Sequence, residues 1–382
     1  MQSTQASLDA GTPTAAASKL RLEFLDGLRG WGALMVFLYH LIIQLLSNTA
    51  PPYKSKFLAF LLDGEFAVFI FFVLSGFVLS IKFVISPGKY SLAQAVIARY
   101  FRLMLPIIIT SFIAYMLMLA HAMYNVPASI PANAPQWLGV YFNFEPTLAY
   151  FLQFNLYYVF FNFNPGANFN PVLWTIAYEF AGSMLVYMII GFFRNTKHQS
   201  FFVPIAFIVL FNLVNNPIIA CFAIGYVLAE LYVAYSERLQ SMTWVSWLAT
   251  ALFAVPVVFS TFFRTGHHFY LALLASALVL AVSFSNPLKR FFSNTASRFL
   301  GRISFPLYLI HLPLICSYSS YLFLQLPQYG YGNQATANII VATTVPLGLL
   351  IAWLMYPIET FSVKAAKKIS EVLMKLPLIK NP

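Results

Sequence analysis

Ten stretches of this chain run for roughly 20 residues each with almost no charge, and nothing else constrains its fold as strongly. They fall at about 28–46, 65–85, 103–123, 171–193, 201–215, 218–235, 244–263, 268–285, 303–326 and 335–358. Windows of that length and polarity are the measure of a membrane-spanning helix. Charged residues are 9% of the chain, against about 25% in ordinary globular proteins. Hydrophobic residues are 60%, and mean hydropathy is +0.76. The expected fold is therefore all-α: a polytopic transmembrane bundle of about ten spans, embedded in a lipid bilayer as one domain. The windows starting near 201 and 218 are separated only by Asn215-Asn216-Pro217.

The basic residues give an orientation. Lys19, Arg21, Lys82, Lys89, Arg99, Arg102, Arg194, Lys197, Arg238, Lys289, Arg290, Arg298, Arg302, Lys364, Lys367, Lys368, Lys375 and Lys380 fall on one side. Only Lys54, Lys56 and Arg264 fall on the other, and Arg29 lies within the first span. Eighteen against three predicts both termini in the cytoplasm. The net charge of +11 thus reads as topology rather than nucleic-acid binding. Residues 1–19 read as a disordered cytoplasmic tail, 20–358 as the transmembrane domain, and 359–382 as a basic amphipathic tail. Residues 124–170 form an aromatic outer loop without Lys or Arg, expected as an interfacial or re-entrant cover. Cys221 and Cys316 lie in apolar stretches and suggest no disulfide framework.

Arg29 and His40 are eleven residues apart on the first span, which returns them to one helix face about 16 Å apart along the axis. An imidazole that deep in lipid is costly and points to function. Counting from the span ends puts His40 and Glu179 each about 12 Å below the outer boundary. At that depth a His–Glu contact would orient the ring as a general base for a hydroxyl. Structural alternatives exist for each: a His bonded between helices, a Glu paired with Tyr or Asn. Arg99, Arg102 and Arg302 stand at the inner starts of spans, where guanidinium forks suit the phosphates of a nucleotide-like donor or lipid headgroups. Ser304, Tyr308 and His311 follow i, i+4, i+7 and should line a central cavity, either binding donor or bonding other helices. His267-His268 diverge by about 100° and do not suggest a shared metal. No zinc spacing, Walker loop or nucleophile elbow is present in the sequence.

These residues resemble the acyltransferase 3 family of integral membrane enzymes. Its Arg, ten residues, His signature is matched by Arg29 to His40, preceded by Phe24-Leu25-Asp26-Gly27-Leu28. Further boxes match in order: Phe71 to Phe77, Arg99 to Pro106, Leu173 to Phe180, and Leu300 to Pro313. The resemblance spans roughly residues 20–360 and makes 20–358 an acyltransferase domain without an appended esterase-like domain. It implies transfer of a short acyl group from acyl-CoA, as co-substrate and with no other cofactor or metal, to a hydroxyl of a sugar or hydroxylated metabolite. It also implies His40 as general base, Glu179 orienting it, and Arg29 binding donor phosphate or an oxyanion. Arg99, Arg102, Arg302, Ser304, Tyr308 and His311 are the expected donor-binding residues. The competing class is a proton-coupled exporter, since intramembrane His and Glu also build proton relays.

Overall fold

The computed structural model describes residues 22–193, 199–263 and 266–376. The expected tail at 1–19 lies outside those residues, as do Lys19, Arg21, Arg194, Lys197, Arg264 and Lys380. Every regular element among the described residues is helical. Ten helices occupy the ten apolar windows. They are α1 (Glu23–Leu38, continued by a π-helical segment Tyr39–Leu46), α2 (Gly64–Ile85), α3 (Leu92–Leu119), α4 (Trp174–Phe193) and α5 (Gln199–Leu213). Then come α6 (Pro217–Gln240), α7 (Thr243–Phe262), α8 (His268–Phe284), α9 (Thr295–Leu314) and α10 (Asn333–Leu373).

Eight of the ten are long and apolar enough to cross a bilayer. The count rises to nine if α8 is joined to the helix Asn286–Phe292, from which it bends by 97°. The α5 helix has 15 residues, about 22 Å, which falls short of a hydrocarbon core of about 30 Å. The Asn215-Asn216-Pro217 break explains this: Asn216 caps α6 through the Ile219 N–H, and Pro217 occupies its first turn. On α7 the outward face carries Trp244, Trp247, Leu248 and Phe262, all exposed. Such a face is stable only against lipid, and the chain is an integral, multi-pass membrane protein.

The last helix differs from the expectation of a separate tail. α10 runs unbroken for 41 residues, about 62 Å, or twice the hydrocarbon thickness. Residues 359–373 therefore extend the final span instead of forming a detached surface helix. Ser362, Ala366 and Ser370 are buried at i, i+4, i+8, one stripe of that extension.

Two features position the site. First, α1 packs more extensively on α9 than any other helix pair. The approach depends on absent side chains: a Cβ on Gly30 would lie 2.4 Å from the Gly301 nitrogen, and one on Gly301 2.6 Å from the Asp26 carbonyl oxygen. Second, the 124–170 loop is folded into the bundle. Its helix Leu148–Phe161 descends along α3, with Phe151 against Tyr115 at 5.3 Å and Phe160 against Tyr100 at 4.7 Å between ring centroids. Tyr115 and Tyr100 are fifteen residues apart, about 22 Å. The chain then returns, setting the fully buried Phe169 against Tyr115 at 5.8 Å. This is a re-entrant hairpin, held by aromatic packing that a solvated loop would leave unmade.

Candidate active site

A cavity of about 800 Å³ opens at the Lys/Arg-rich end of the bundle. Among the described residues six cations line it (Arg29, Lys82, Arg99, Arg102, Arg302 and Lys364) against three carboxylates, Asp26, Glu179 and Glu359. The excess of positive charge in a walled, partly apolar space favours an anionic occupant. Arg99 and Arg102 are i, i+3 on α3 and so reach the same side. Arg29 lies 3.8 Å from Asp26, one turn earlier on α1. Arg102 and Arg302 are exposed and line the cavity.

Arg99 is the buried member of the set. Its Nη2 pairs with Glu179 Oε1, and its Nε donates to Ser183 Oγ at 2.9 Å. Ser183 Oγ in turn donates to the Glu179 carbonyl at 2.5 Å. The arrangement braces one guanidinium edge between two successive turns of α4. A buried cation requires this kind of multiple bonding to offset its desolvation.

Ser304 and Tyr308 also line the cavity, as their spacing on α9 predicts. Ser304 Oγ donates to the Gly301 carbonyl at 3.0 Å. The Tyr308 hydroxyl meets Thr175 Oγ1 at 2.8 Å and lies 3.1 Å from the Val172 carbonyl. One turn further, His311 leaves the cavity lining and turns to α1 instead. Its Nε2 is 2.9 Å from His40 Nδ1, with the ring planes inclined by 9° and centroids 5.1 Å apart. Trp137, from the re-entrant loop, packs against His40 with ring centroids 5.6 Å apart and planes inclined by 20°. His40 therefore touches two further rings, the His311 imidazole and the Trp137 indole. It sits in the first turn of the π-helical segment, where the widened helix changes the direction of the side chains that follow.

The expected contact between His40 and Glu179 is not made. Depth explains the correction. Counting inward from the start of the fourth span assumes that this start lies at the outer boundary. The re-entrant hairpin instead delivers the chain to α4 within the bundle, where Asn170 Nδ2 donates to the Leu309 carbonyl at 2.6 Å. Leu309 is only two residues before His311, so α4 begins near the level of the histidine pair. Glu179, nine residues past Asn170, is then about 13 Å nearer the basic end and meets Arg99. His311 likewise belongs with the imidazole of α1 and not with the cationic cavity.

Sequence reasoning missed Lys82, Ser183, Glu359, Lys364 and Trp137. Glu359 could have been flagged, because a carboxylate at the edge of an apolar window needs a partner, and basic side chains share its cavity. Trp137 carried no such signal among so many loop aromatics.

A sequence profile described as an acyltransferase domain matches residues 22–357, nearly the whole described chain. The chain belongs to this acyltransferase family. The match covers α1 through residue 357 of α10, so the histidine pair and all of the cavity lining except that from residues 359–364 fall within the acyltransferase domain. The O-acetyltransferase PaAT-1 of Phomopsis amygdali is 27% identical over 415 aligned residues, covering 87% of this chain and 79% of that protein. No solved structure matches the chain. Family and relative together make this a membrane O-acyltransferase, and the exporter alternative gives way to it.

Proposed function

We propose that the enzyme moves a short acyl group, acetyl in the first instance, from acyl-CoA to the hydroxyl of a sugar or hydroxylated metabolite. The observation carrying this reading is the sequence of environments along α1 and α9: a cationic cavity of about 800 Å³, then Tyr308, then a paired imidazole. The donor phosphates lie among Arg29, Arg99, Arg102 and Arg302, on the cytoplasmic side by the distribution of Lys and Arg. Arg29 is about 16 Å along the helix from His40, which suits phosphate binding and not an oxyanion at the reacting carbonyl. The thioester then reaches past Tyr308 toward His40.

His40 takes the proton of the acceptor hydroxyl as its oxygen attacks the thioester carbonyl carbon. The tetrahedral intermediate collapses with cleavage of the C–S bond, and the proton on His40 passes to the departing thiolate. Ester and CoA thiol leave with no net change at the protein. Glu179 supports donor binding by holding Arg99. The acetyl group is favoured by the activity for which the Phomopsis relative is named.

The test uses membranes carrying the enzyme, labelled acetyl-CoA and a panel of hydroxylated acceptors. Label should move to an acceptor, and His40→Ala should abolish transfer while the protein still inserts. Full activity in that variant ends the general-base assignment, and label that never leaves the donor ends the choice of acetyl-CoA.

A further inference from the structure

The bonds around His311 determine where the protons of the histidine pair reside. His311 Nδ1 lies 3.3 Å from the carbonyl oxygen of Leu307. A carbonyl only accepts, so this nitrogen carries a hydrogen. His311 is fully buried, with the rings of Phe37 and Tyr308 at 5.9 and 5.8 Å, surroundings that favour the neutral imidazole. Its Nε2 is then a bare acceptor. The 2.9 Å contact with His40 Nδ1 forms only if His40 donates. That choice leaves the His40 lone pair on Nε2. Two hydrogen bonds thus define both tautomers and leave the dyad one free basic nitrogen, on α1.

We propose that His311 is the positioning residue that makes His40 a base. The inference rests on the general-base reading above. His311 accepts the Nδ1 hydrogen of His40 and holds the ring nearly parallel to its own, while Trp137 packs against the same ring. When His40 Nε2 takes the acceptor's proton, the Nδ1–H bond to His311 persists and strengthens, since its donor is now charged. The proton later leaves Nε2 for the thiolate, and no proton need cross between the rings. An aspartate does this work for the histidine of serine hydrolases. In a lipid-embedded bundle a neutral imidazole can supply the same acceptor without burying a second charge.

The experiment compares His311→Gln and His311→Leu in the purified full chain. It uses acetyl-CoA and whichever hydroxylated acceptor of the panel the unaltered enzyme acetylates. Glutamine offers an amide oxygen to the His40 Nδ1 hydrogen, whereas leucine offers nothing. His311→Leu should lose about 10²–10⁴-fold in kcat. KM for acetyl-CoA should stay within about two-fold in both variants, because the cationic cavity is untouched, and His311→Gln should keep kcat within about ten-fold. Unimpaired kcat in His311→Leu overturns the proposal, as does equal loss in the two variants. Should the leucine variant fail to insert, His311→Gln alone decides: kcat within about ten-fold supports the role, and a larger loss refutes it. Activity in His40→Ala would end the base reading itself. An inactive His40→Ala beside an unimpaired His311→Leu would remove only the present inference.

Discussion

Replacing Glu179 by Gln separates the role that the tertiary structure gives this residue from the role suggested by its place in the sequence. The Arg99 and Glu179 side chains are 9% and 15% exposed. Removing one charge of such a pair leaves the other buried and uncompensated, at a cost of about 3–5 kcal/mol. The lower end applies here, because Ser183 still accepts from Arg99 Nε and the cavity admits water. Unfolding entropy of about 2.1 cal/mol/K per residue gives about 0.8 kcal/mol per degree for 382 residues, so 3 kcal/mol lowers Tm by about 4 °C. Thermal unfolding of the detergent-solubilised enzyme reads that shift. Steady-state kinetics should show KM for acetyl-CoA raised about ten-fold, since the freed guanidinium no longer holds its place in the cavity. The double variant Arg99→Met with Glu179→Leu should recover most of the Tm without recovering the donor KM. An unchanged Tm and KM with kcat lost about 100-fold would refute the reasoning and return Glu179 to the histidine.

Further outcomes follow from the packing. Gly30→Val should destabilise by at least about 1–3 kcal/mol and lower the amount of inserted protein, because the added carbons meet the backbone of α9; wild-type Tm would show that α1 and α9 are not so close. Asn170→Leu should cost about 1–3 kcal/mol, read by the same melts. Pro313 has no N–H for the Leu309 carbonyl, and the Asn170 amide supplies the missing donor at 2.6 Å.

Much of the cavity lining was legible in the chain, for reasons that differ from residue to residue. Arg29, Arg99, Arg102 and Arg302 were legible because a guanidinium within or beside an apolar window must face a cavity or a headgroup, and all four line one cavity. Ser304 and Tyr308 followed from their spacing on a helix that is regular over that stretch. His311 belonged to the same stripe by spacing yet serves another partner, because the first helix crosses α9 at the glycine contact and brings His40 alongside. The ten apolar windows all became helices, but α5 is too short to span and α10 too long to end at the membrane.

Residue polarity along the chain was enough to establish an all-helical, multi-pass protein with its cations gathered at one end. A bilayer imposes that requirement segment by segment, since each stretch must satisfy its own backbone. Which imidazole meets which acid is not a local matter. It depended on a loop that dips into the bundle and starts α4 midway, and on the close glycine contact that brings His40 alongside α9. Both are set by contacts between distant residues, and so Glu179 found Arg99 while His40 found His311.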